Sequence, residues 1–253
     1  MTRRAAALAA LGLAAYLLFL VATVPVSFIA ARAAAATQGA LRLTDTAGPW
    51  WRGEARVRWS PPGGVPLDIE RVTWTLLPTR LFAGRIAFDV RAASPGFGAE
   101  LEAARAIGGW QARGLQARGD ASALAAFMPL LSTFRPSGPV TFTAPRLDWD
   151  GERLRGAAQA EWRGAGLALS EVRPLGSFKA SLEAADGPAK ITLATIDGPL
   201  RLNGQGTLTS PGAFTFTGEA RADAAQAAAL EPLLAAMGPR RPDGAYSLDW
   251  RSR

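Results

Sequence analysis

A period of two in the apolar residues constrains the fold of this 253-residue chain more than any other feature. The stretch "GPWWRGEARVRW", residues 48–59, shows it first. One parity holds only tryptophan and small or apolar residues: Trp51, Gly53, Ala55, Val57 and Trp59. From residue 52 onward, the other parity holds only charged residues: Arg52, Glu54, Arg56 and Arg58. Because successive side chains of a β-strand point to opposite faces, this stretch predicts a strand with one apolar and one solvated face.

The same alternation recurs along the chain, in "RIAFDVRA", "GSFKASLEAA", "GAFTFTGEARA" and "GAYSLDWRSR". Turn-forming sequences such as "PPGG", "SPGFG" and "DWDGE" separate these runs. Most connections are too short for the helix that parallel strands require, which favours an antiparallel meander. A change of parity between Ile69 and Val72 predicts a β-bulge near Glu70 and Arg71.

The amino terminus contains a long uncharged stretch, Ala5–Ala31, which follows Arg3 and Arg4. At about 1.5 Å per residue, even the part before Pro25 is long enough to cross the ~30 Å hydrocarbon core of a bilayer. The stretch exceeds the apolar region of a cleaved signal peptide, although the small residues around Arg32 leave cleavage as the alternative. We therefore predict a cytoplasmic tip and a single transmembrane signal-anchor helix within residues 1–36, with residues 37–253 forming a periplasmic β-rich domain.

Two segments depart from the alternation and predict short α-helices: "DASALAAFMPLLSTF", residues 120–134, and "DAAQAAALEPLLAAMG", residues 223–238. Each begins with an aspartate suited to cap a helix and has a proline nine residues later. This similarity predicts a degenerate internal duplication, with pseudo-repeats of about residues 45–145 and 146–253; the alternative is chance similarity. The predicted fold is mainly β: an N-terminal transmembrane helix, then an antiparallel β-meander domain with two short α-helices.

The chain contains no cysteine and no histidine. Disulfides, thiolate nucleophiles, cysteine or histidine metal ligands and histidine acid–base catalysis are therefore excluded. The formal net charge is +7, but arginines and acidic residues are interspersed along the strand-like runs. This arrangement favours a solvated sheet face over a nucleic-acid surface. We expect no cofactor, no metal and no nucleic-acid partner.

A carboxylate group is the first candidate for chemistry. Asp148, Asp150 and Glu152 suggest the paired carboxylates of a hydrolase. However, the dipeptide formed by Asp150 and Gly151 is typical of a hairpin turn, which explains the acids better.

Two further candidates also have structural explanations. Ser177 and Lys179 suggest a serine–lysine dyad, but nothing around them indicates a buried lysine. The "GQG" at 204–206 lacks the helix that follows a phosphate-binding loop, and a bend in a strand explains it better. The sequence therefore predicts no catalytic residue.

Tryptophan is the most unusual component, with eight residues. Seven lie mostly on the apolar parity of their runs, which predicts core packing: Trp51, Trp59, Trp74, Trp110, Trp149, Trp162 and Trp250. Trp50 has the opposite parity and follows Pro49. We interpret Trp50 as either a core residue or a contact for a membrane surface or a partner.

The order of these features resembles the general (type II) secretion pathway protein N family. The basic start and membrane helix precede "GPWWRGEARVRW" and "VTWTLLPTRLFAGRIAFDV", and "DGPLRLNGQGTL" resembles part of the carboxy-terminal half. The matching motif residues are Gly48, Trp51 and Gly53, then Trp74, Leu76 and Pro78, then Leu81, Gly84 and Arg85. The resemblance implies structural roles for Gly48, Trp51, Gly53, Trp74, Pro78 and Gly84.

The resemblance also implies a function: an accessory inner-membrane component of the type II secretion system, which exports folded periplasmic proteins. That family is not enzymatic, so a structural or assembly role is expected. The implied partners are other inner-membrane secretion components, the outer-membrane secretin and the lipid bilayer. The implied location is the bacterial inner membrane, single-pass, with the C-terminal domain in the periplasm. An alternative stays open, an envelope lipid-handling protein with an apolar β-sheet groove; a cell-wall hydrolase ranks last.

Overall fold

A computed structural model of the chain describes residues 12–13, 16, 19, 23–60, 66–122, 134–185, 187–209 and 213–252. The strands in these parts of the chain are β1 (Leu41–Ala47), β2 (Arg52–Trp59), β3 (Leu67–Leu76), β4 (Ile86–Ser94), β5 (Phe97–Ala106), β6 (Gly109–Asp120), β7 (Pro136–Ser137), β8 (Pro139–Trp149), β9 (Leu154–Leu167), β10 (Gly176–Ala184), β11 (Ala189–Asp197), β12 (Leu200–Thr209), β13 (Ala213–Ala222) and β14 (Tyr246–Ser252). All but β7 form one continuous antiparallel sheet in chain order, and β7 pairs with β9. The predicted antiparallel meander is confirmed.

The helices whose bounds lie within the described ranges are α1 (Val26–Ala36), α2 (Pro78–Leu81) and α3 (Ala227–Met237). Residues 12, 13, 16, 19 and 23 are helical as well. A 3₁₀ turn, Ala224–Gln226, precedes α3. The segment of residues 223–238 is thus helical as predicted. The sequence analysis did not anticipate the single turn of α2.

The register of the sheet shows how the period of two separates its faces. A row of directly paired residues crosses β2 to β14 and is apolar or glycine throughout: Ala55, Val72, Ala92, Ala99, Ala117, Phe142, Ala160, Ala180, Leu193, Gly204, Gly218 and Leu248. The neighbouring row on the opposite face is polar throughout: Glu54, Thr73, Arg91, Glu100, Gln116, Thr143, Gln159, Ser181, Thr192, Gln205, Thr217 and Asp249. The sheet therefore has one apolar and one polar face over twelve strands.

The predicted bulge in β3 is present. Ala55 pairs with Val72 and Val57 pairs with Ile69, so three steps along β3 match two along β2. Because of this extra residue, Leu67 and Ile69 lie on the same face of the sheet as Val72, although an odd number of positions separates each of them from Val72.

The apolar face is covered at its carboxy-terminal end by α3. Leu230, Leu233 and Leu234 of α3 are buried in one cluster with Phe178 and Leu248 of the sheet. Burying a leucine side chain contributes roughly 1.5–3 kcal/mol, so this cluster stabilises the last six strands.

The "GQG" segment lies inside β12, as the interpretation of a strand segment expected, and β12 pairs with β13 without a register shift. Gly204 and Gly206 make room for the ring of Phe216 on β13. A Cβ at Gly206 would lie 3.0 Å from Phe216 Cδ2, and one at Gly204 would overlap the ring. Phe216 is 4% exposed and stacks on Trp250, with ring centroids 5.3 Å apart.

The predicted helix caps are partly wrong. The Asp223 side chain makes no capping hydrogen bond; its Oδ1 instead accepts from Arg201 Nε at 3.3 Å. The carboxylate is drawn to the neighbouring strand, and the helix begins with the 3₁₀ turn. Asp120 does accept from the backbone amides of Ser122 and Gly138, at 2.9 and 3.0 Å. The rest of the predicted helix at 120–134 lies mostly outside the described residues.

The predicted membrane helix also lies mostly outside them. In the parts of the chain that the structure describes, no helix is both long and apolar enough to span a bilayer. Around Pro25 the backbone is extended, with φ −75° and ψ 151°, so the helical residue Thr23 is separated from α1. A proline interrupts a helix because it has no amide hydrogen and its ring clashes with the preceding turn, which explains this break.

Candidate functional site at the junction with the amino-terminal segment

Backbone hydrogen bonds join the amino-terminal segment to the sheet just before β2. The Trp50 amide donates to the Val24 carbonyl oxygen at 3.1 Å, and the Val26 amide donates to the Gly48 carbonyl oxygen at 3.4 Å. Pro25 and Pro49 face each other as an antiparallel bridge. Residues 24–26 are therefore hydrogen-bonded directly to the segment that precedes β2, and no linker separates residue 23 from the sheet domain.

Two motif glycines provide the space for this junction. Gly48 has φ +87°, in the left-handed region, and a Cβ there would lie 2.5 Å from the Arg52 carbonyl oxygen. A Cβ at Gly53 would lie 2.7 Å from Trp74 Cζ2 and 2.8 Å from Val26 Cγ2. Val26 is 1% exposed as a result of this close packing. Any side chain at Gly53 would push α1 or the Trp74 indole away from β2.

An aromatic group lies next to these glycines. Trp74 Nε1 donates to the Trp50 carbonyl oxygen at 2.8 Å. The Trp50 and Phe88 rings meet edge to face, with centroids 6.2 Å apart. Trp50 is half-buried, and its contact with a membrane or partner stays a prediction.

The expectation of core packing is wrong for three tryptophans. Trp51, Trp110 and Trp149 are 38%, 55% and 38% exposed. Each stands at the end of its strand or just before it, where sheet neighbours cover only part of the ring. The other tryptophans of the predicted core set are half-buried: Trp59, Trp74, Trp162 and Trp250.

The remaining motif residues shape the connection between β3 and β4. Pro78 opens α2 at its first turn, where a missing amide hydrogen costs nothing. Gly84 has φ +68° and lets the chain turn back into β4. Arg80 Nη2 forms an ion pair with Glu102 at 2.8 Å, which fixes α2 to the sheet.

The apolar face of the amino-terminal half is less covered than that of the carboxy-terminal half. Ala55, at 3% exposure, is buried there, whereas Val72, Trp74, Phe88 and Val90 are half-buried. This is the part of the face where the sequence left an apolar groove open as an alternative.

The two terminal strands differ in how open their outer edges are. β1 is interrupted by a register shift between Thr44 and Ala47, and Asp45 has φ +50°. On β14, the first residues are covered, since the Ser247 amide donates to the Pro239 carbonyl oxygen at 3.0 Å. Irregularity and cover of this kind limit unwanted strand pairing.

The candidate carboxylates have structural partners. Asp150 Oδ1 accepts from the backbone amides of Glu152 and Arg153, at 3.0 and 2.7 Å, in the turn between β8 and β9. These hydrogen bonds, that from Arg153 first, lower the pKa of Asp150. Asp148 Oδ2 accepts from Arg146 Nε at 2.6 Å. The interpretation of "DWDGE" as a turn is confirmed for Asp150.

The proposed serine–lysine pair is not assembled. Ser177 is 9% exposed, and its Oγ accepts from the Gly164 amide at 3.3 Å. Lys179 is half-buried on β10 and no contact joins it to Ser177 in the described structure. Nor do the described residues contain a group of acids arranged to hold a metal ion.

The sequence analysis missed the role of Val26 in this site. Val26 belongs to the uncharged stretch that predicted a membrane helix, and only its packing on Gly53 shows that it is part of the sheet domain. Pro25, which separates it from the preceding residues, was the available signal.

The sequence profile of the family described as type II secretion system (T2SS), protein N, matches residues 21–249. Searches of curated proteins and of solved structures gave no match. The matched range contains the junction, its motif glycines and both halves of the sheet. The chain belongs to the type II secretion system protein N family.

Proposed function

We propose that the protein is an accessory, non-enzymatic component of the type II secretion system that supports its assembly at the bacterial inner membrane. A single amino-terminal helix anchors it, with the tip in the cytoplasm and the sheet domain in the periplasm. The observation that supports this most directly is the hydrogen-bonded junction of Val24 and Val26 with Trp50 and Gly48. An anchor joined to the sheet without a linker holds a docking domain at a fixed height above the membrane.

The partners we propose are other inner-membrane secretion components and the outer-membrane secretin. An extended segment of such a partner can add to the edge of a sheet through backbone hydrogen bonds. The outer side of β14 beyond Ser247 is the more regular of the two edges, because β1 is bulged at Asp45. We therefore assign docking to the β14 edge.

Deletion of the gene tests this function. We expect secreted proteins to accumulate in the periplasm, and the full-length chain to restore their export. Normal export in the deletion strain, combined with altered envelope lipid, would overturn the assembly role.

A carboxylate variant separates this function from a hydrolase. Asp148→Asn combined with Asp150→Asn is expected to restore export in the deletion strain as well as the unchanged chain does. Loss of export, with the variant still folded and present at the normal level, would point to carboxylate chemistry.

Lipid handling is a second candidate, favoured by the half-buried apolar side chains of Trp74, Phe88 and Val90. A sheet of this kind can hold acyl chains on its apolar face. Mass spectrometry of lipids that copurify with the chain tests it. A stoichiometric lipid, displaced when Val90→Glu is introduced, would support this function over the assembly role.

A further inference from the structure

The point where the amino-terminal segment joins the sheet defines one rim of the domain. Each strand of this meander runs antiparallel to the one before it. Every second connection between strands therefore lies at the same end of the strands, that is, at the same rim of the sheet. We call this edge the anchor rim; its connections include residues 48–51, 77–85, 107–108, 150–153 and 185–188. The opposite rim contains the alternate connections, among them residues 168–175 and 198–199.

The anchor rim has a fixed position relative to the predicted membrane span. That span ends near Val24, whose carbonyl oxygen accepts from the Trp50 amide at 3.1 Å. No flexible linker separates the two, so the end of the span and the rim lie within one residue of each other. Adjacent strands are about 4.8 Å apart, which puts the β5–β6 turn about 15 Å from β2 along the rim.

Exposed apolar side chains are concentrated on this rim. Phe82 in the β3–β4 connection is 94% exposed, and Ile107 at the β5–β6 turn is 103% exposed. Other large apolar side chains at this rim are exposed to a lesser degree: Leu81, Ile86, Trp110 and Trp149. Exposing the apolar side chains of Phe82 and Ile107 to water is unfavourable, and a group of such side chains on one rim indicates a contact surface.

The part of the rim between the β3–β4 and β8–β9 connections has an excess of arginine, of which Arg80 is paired with Glu102 and Arg146 with Asp148. Residues 80–86, 105–110 and 146–155 contain six arginines and three acidic residues. The Arg105 guanidinium lies over the Trp110 ring, 5.2 Å from its centroid. Arg153 is exposed and lines a shallow surface depression together with Trp110 and Trp149. Aromatic rings and arginines side by side are typical of the bilayer interface, where rings meet headgroups and cations meet anionic lipid.

We propose that the anchor rim is a membrane-docking surface for anionic phospholipid. It lies on the periplasmic leaflet, Phe82 and Ile107 insert among the acyl chains, and Arg105 and Arg153 contact the headgroups. The inference rests on the membrane anchor of the proposed function and adds a second, interfacial attachment to it. The sheet is then fixed in its rotation about the anchor helix, so that one defined edge faces the partner.

The absence of cysteine allows a direct test, since each single-cysteine variant carries one probe without background. The full-length chain is labelled with an environment-sensitive fluorophore at Phe82→Cys or Ile107→Cys. Matched probes on the opposite rim are Leu169→Cys and Ile196→Cys, at side chains that are 58% and 49% exposed. Tyr16→Cys reports the anchor itself.

Each variant is reconstituted into phosphatidylcholine liposomes with and without phosphatidylglycerol, and quenching by lipids spin-labelled in the acyl chain is measured. We expect probes at 82 and 107 to be quenched several-fold more than those at 169 and 196, and more strongly with phosphatidylglycerol. Equal quenching at the two rims, with the probe at 16 quenched, would overturn the docking surface and leave the anchor intact. An unquenched probe at 16 would overturn the anchor and, with it, this inference.

A charge test uses the probe at 107. Arg105→Gln with Arg153→Gln is expected to abolish the difference between the two liposome types. The control, Arg240→Gln with Arg241→Gln, removes the same charge between α3 and β14 and should preserve that difference. Equal effects of the two double variants would contradict headgroup recognition by the rim.

Discussion

The indole nitrogen of Trp74 donates a hydrogen bond to the backbone carbonyl oxygen of Trp50, at 2.8 Å. This bond connects the end of β3 to the segment that pairs with Val24 and Val26. It also gives a motif tryptophan a role that a phenylalanine of similar shape could not perform.

Trp74→Phe is therefore expected to destabilise the domain. Loss of the bond leaves a partly buried carbonyl without its donor, at a cost of about 1–2 kcal/mol. Guanidinium unfolding in detergent, followed by circular dichroism, measures this change. Trp110→Phe is the control, since Trp110 is 55% exposed and its replacement should shift the midpoint little. Equal midpoints for both variants would contradict the role of the bond.

Gly53→Ala is expected to destabilise the junction by about 1–3 kcal/mol through overpacking. Its new Cβ would lie 2.7 Å from Trp74 Cζ2 and 2.8 Å from Val26 Cγ2. Gly98→Ala is the matched control on β5, because the nearest atom to its Cβ would be 3.9 Å away. If thermal unfolding shows both substitutions to be neutral, the close approach of α1 to β2 is wrong.

The glycines of β12 are expected to be coupled to Phe216. Phe216→Ala should cost about 3–5 kcal/mol, because it empties a buried ring position. Gly204→Ala should also destabilise, but much less when Phe216 is already alanine, since its Cβ would overlap that ring. A double-mutant cycle measures this coupling, and additive effects would show that the ring does not occupy the space above Gly204.

Stability is expected to fall at the acidic end of the pH range, where Asp120 becomes protonated. Burial raises the pKa of Asp120, but hydrogen bonds from Ser122 and from the Gly138 backbone outweigh it and leave the pKa lowered. A carboxylate whose pKa is lower in the folded state stabilises fully above its unfolded pKa of about 3.9 and loses that contribution as pH falls through the folded value. With no histidine or cysteine side chain, the unfolding free energy should be nearly constant between about pH 6 and 8.

Asp120→Asn isolates this contribution. The amide has one oxygen for two donors, so the variant should be about 1 kcal/mol less stable at neutral pH. The difference from the unchanged chain should shrink as the pH falls through the lowered folded-state pKa of Asp120, because the carboxyl group then becomes neutral. Denaturant titrations across this range measure it, and a difference that persists in acid would assign the effect to packing.

Local alternation was sufficient to predict most of the fold. The parity of Trp59, Val57 and Ala55, and its reversal between Ile69 and Val72, predicted both the apolar face and the bulge that the register shows. Helix-forming residues between two strands predicted α3. These predictions succeeded because they depend on the periodicity of neighbouring residues, which one segment specifies alone.

The surroundings of individual side chains were harder to predict from the sequence. Trp110 and Trp149 have the parity of core residues, yet they pair with each other at the anchor rim and are 55% and 38% exposed. Asp223 has the residue type of a helix cap, but its carboxylate binds Arg201 from a neighbouring strand. In both cases a partner distant in sequence decides the outcome.

The sequence by itself determined an amino-terminal uncharged stretch, a meander with two unlike faces and a chain without histidine or cysteine chemistry. Only the tertiary structure decided that Val24 is hydrogen-bonded to Trp50, that Gly53 accommodates Val26, and that Phe82 and Ile107 share a rim with that junction. The physical reason is that periodicity fixes which face a side chain occupies. The pairing of strands far apart in the chain fixes which ends of those strands meet.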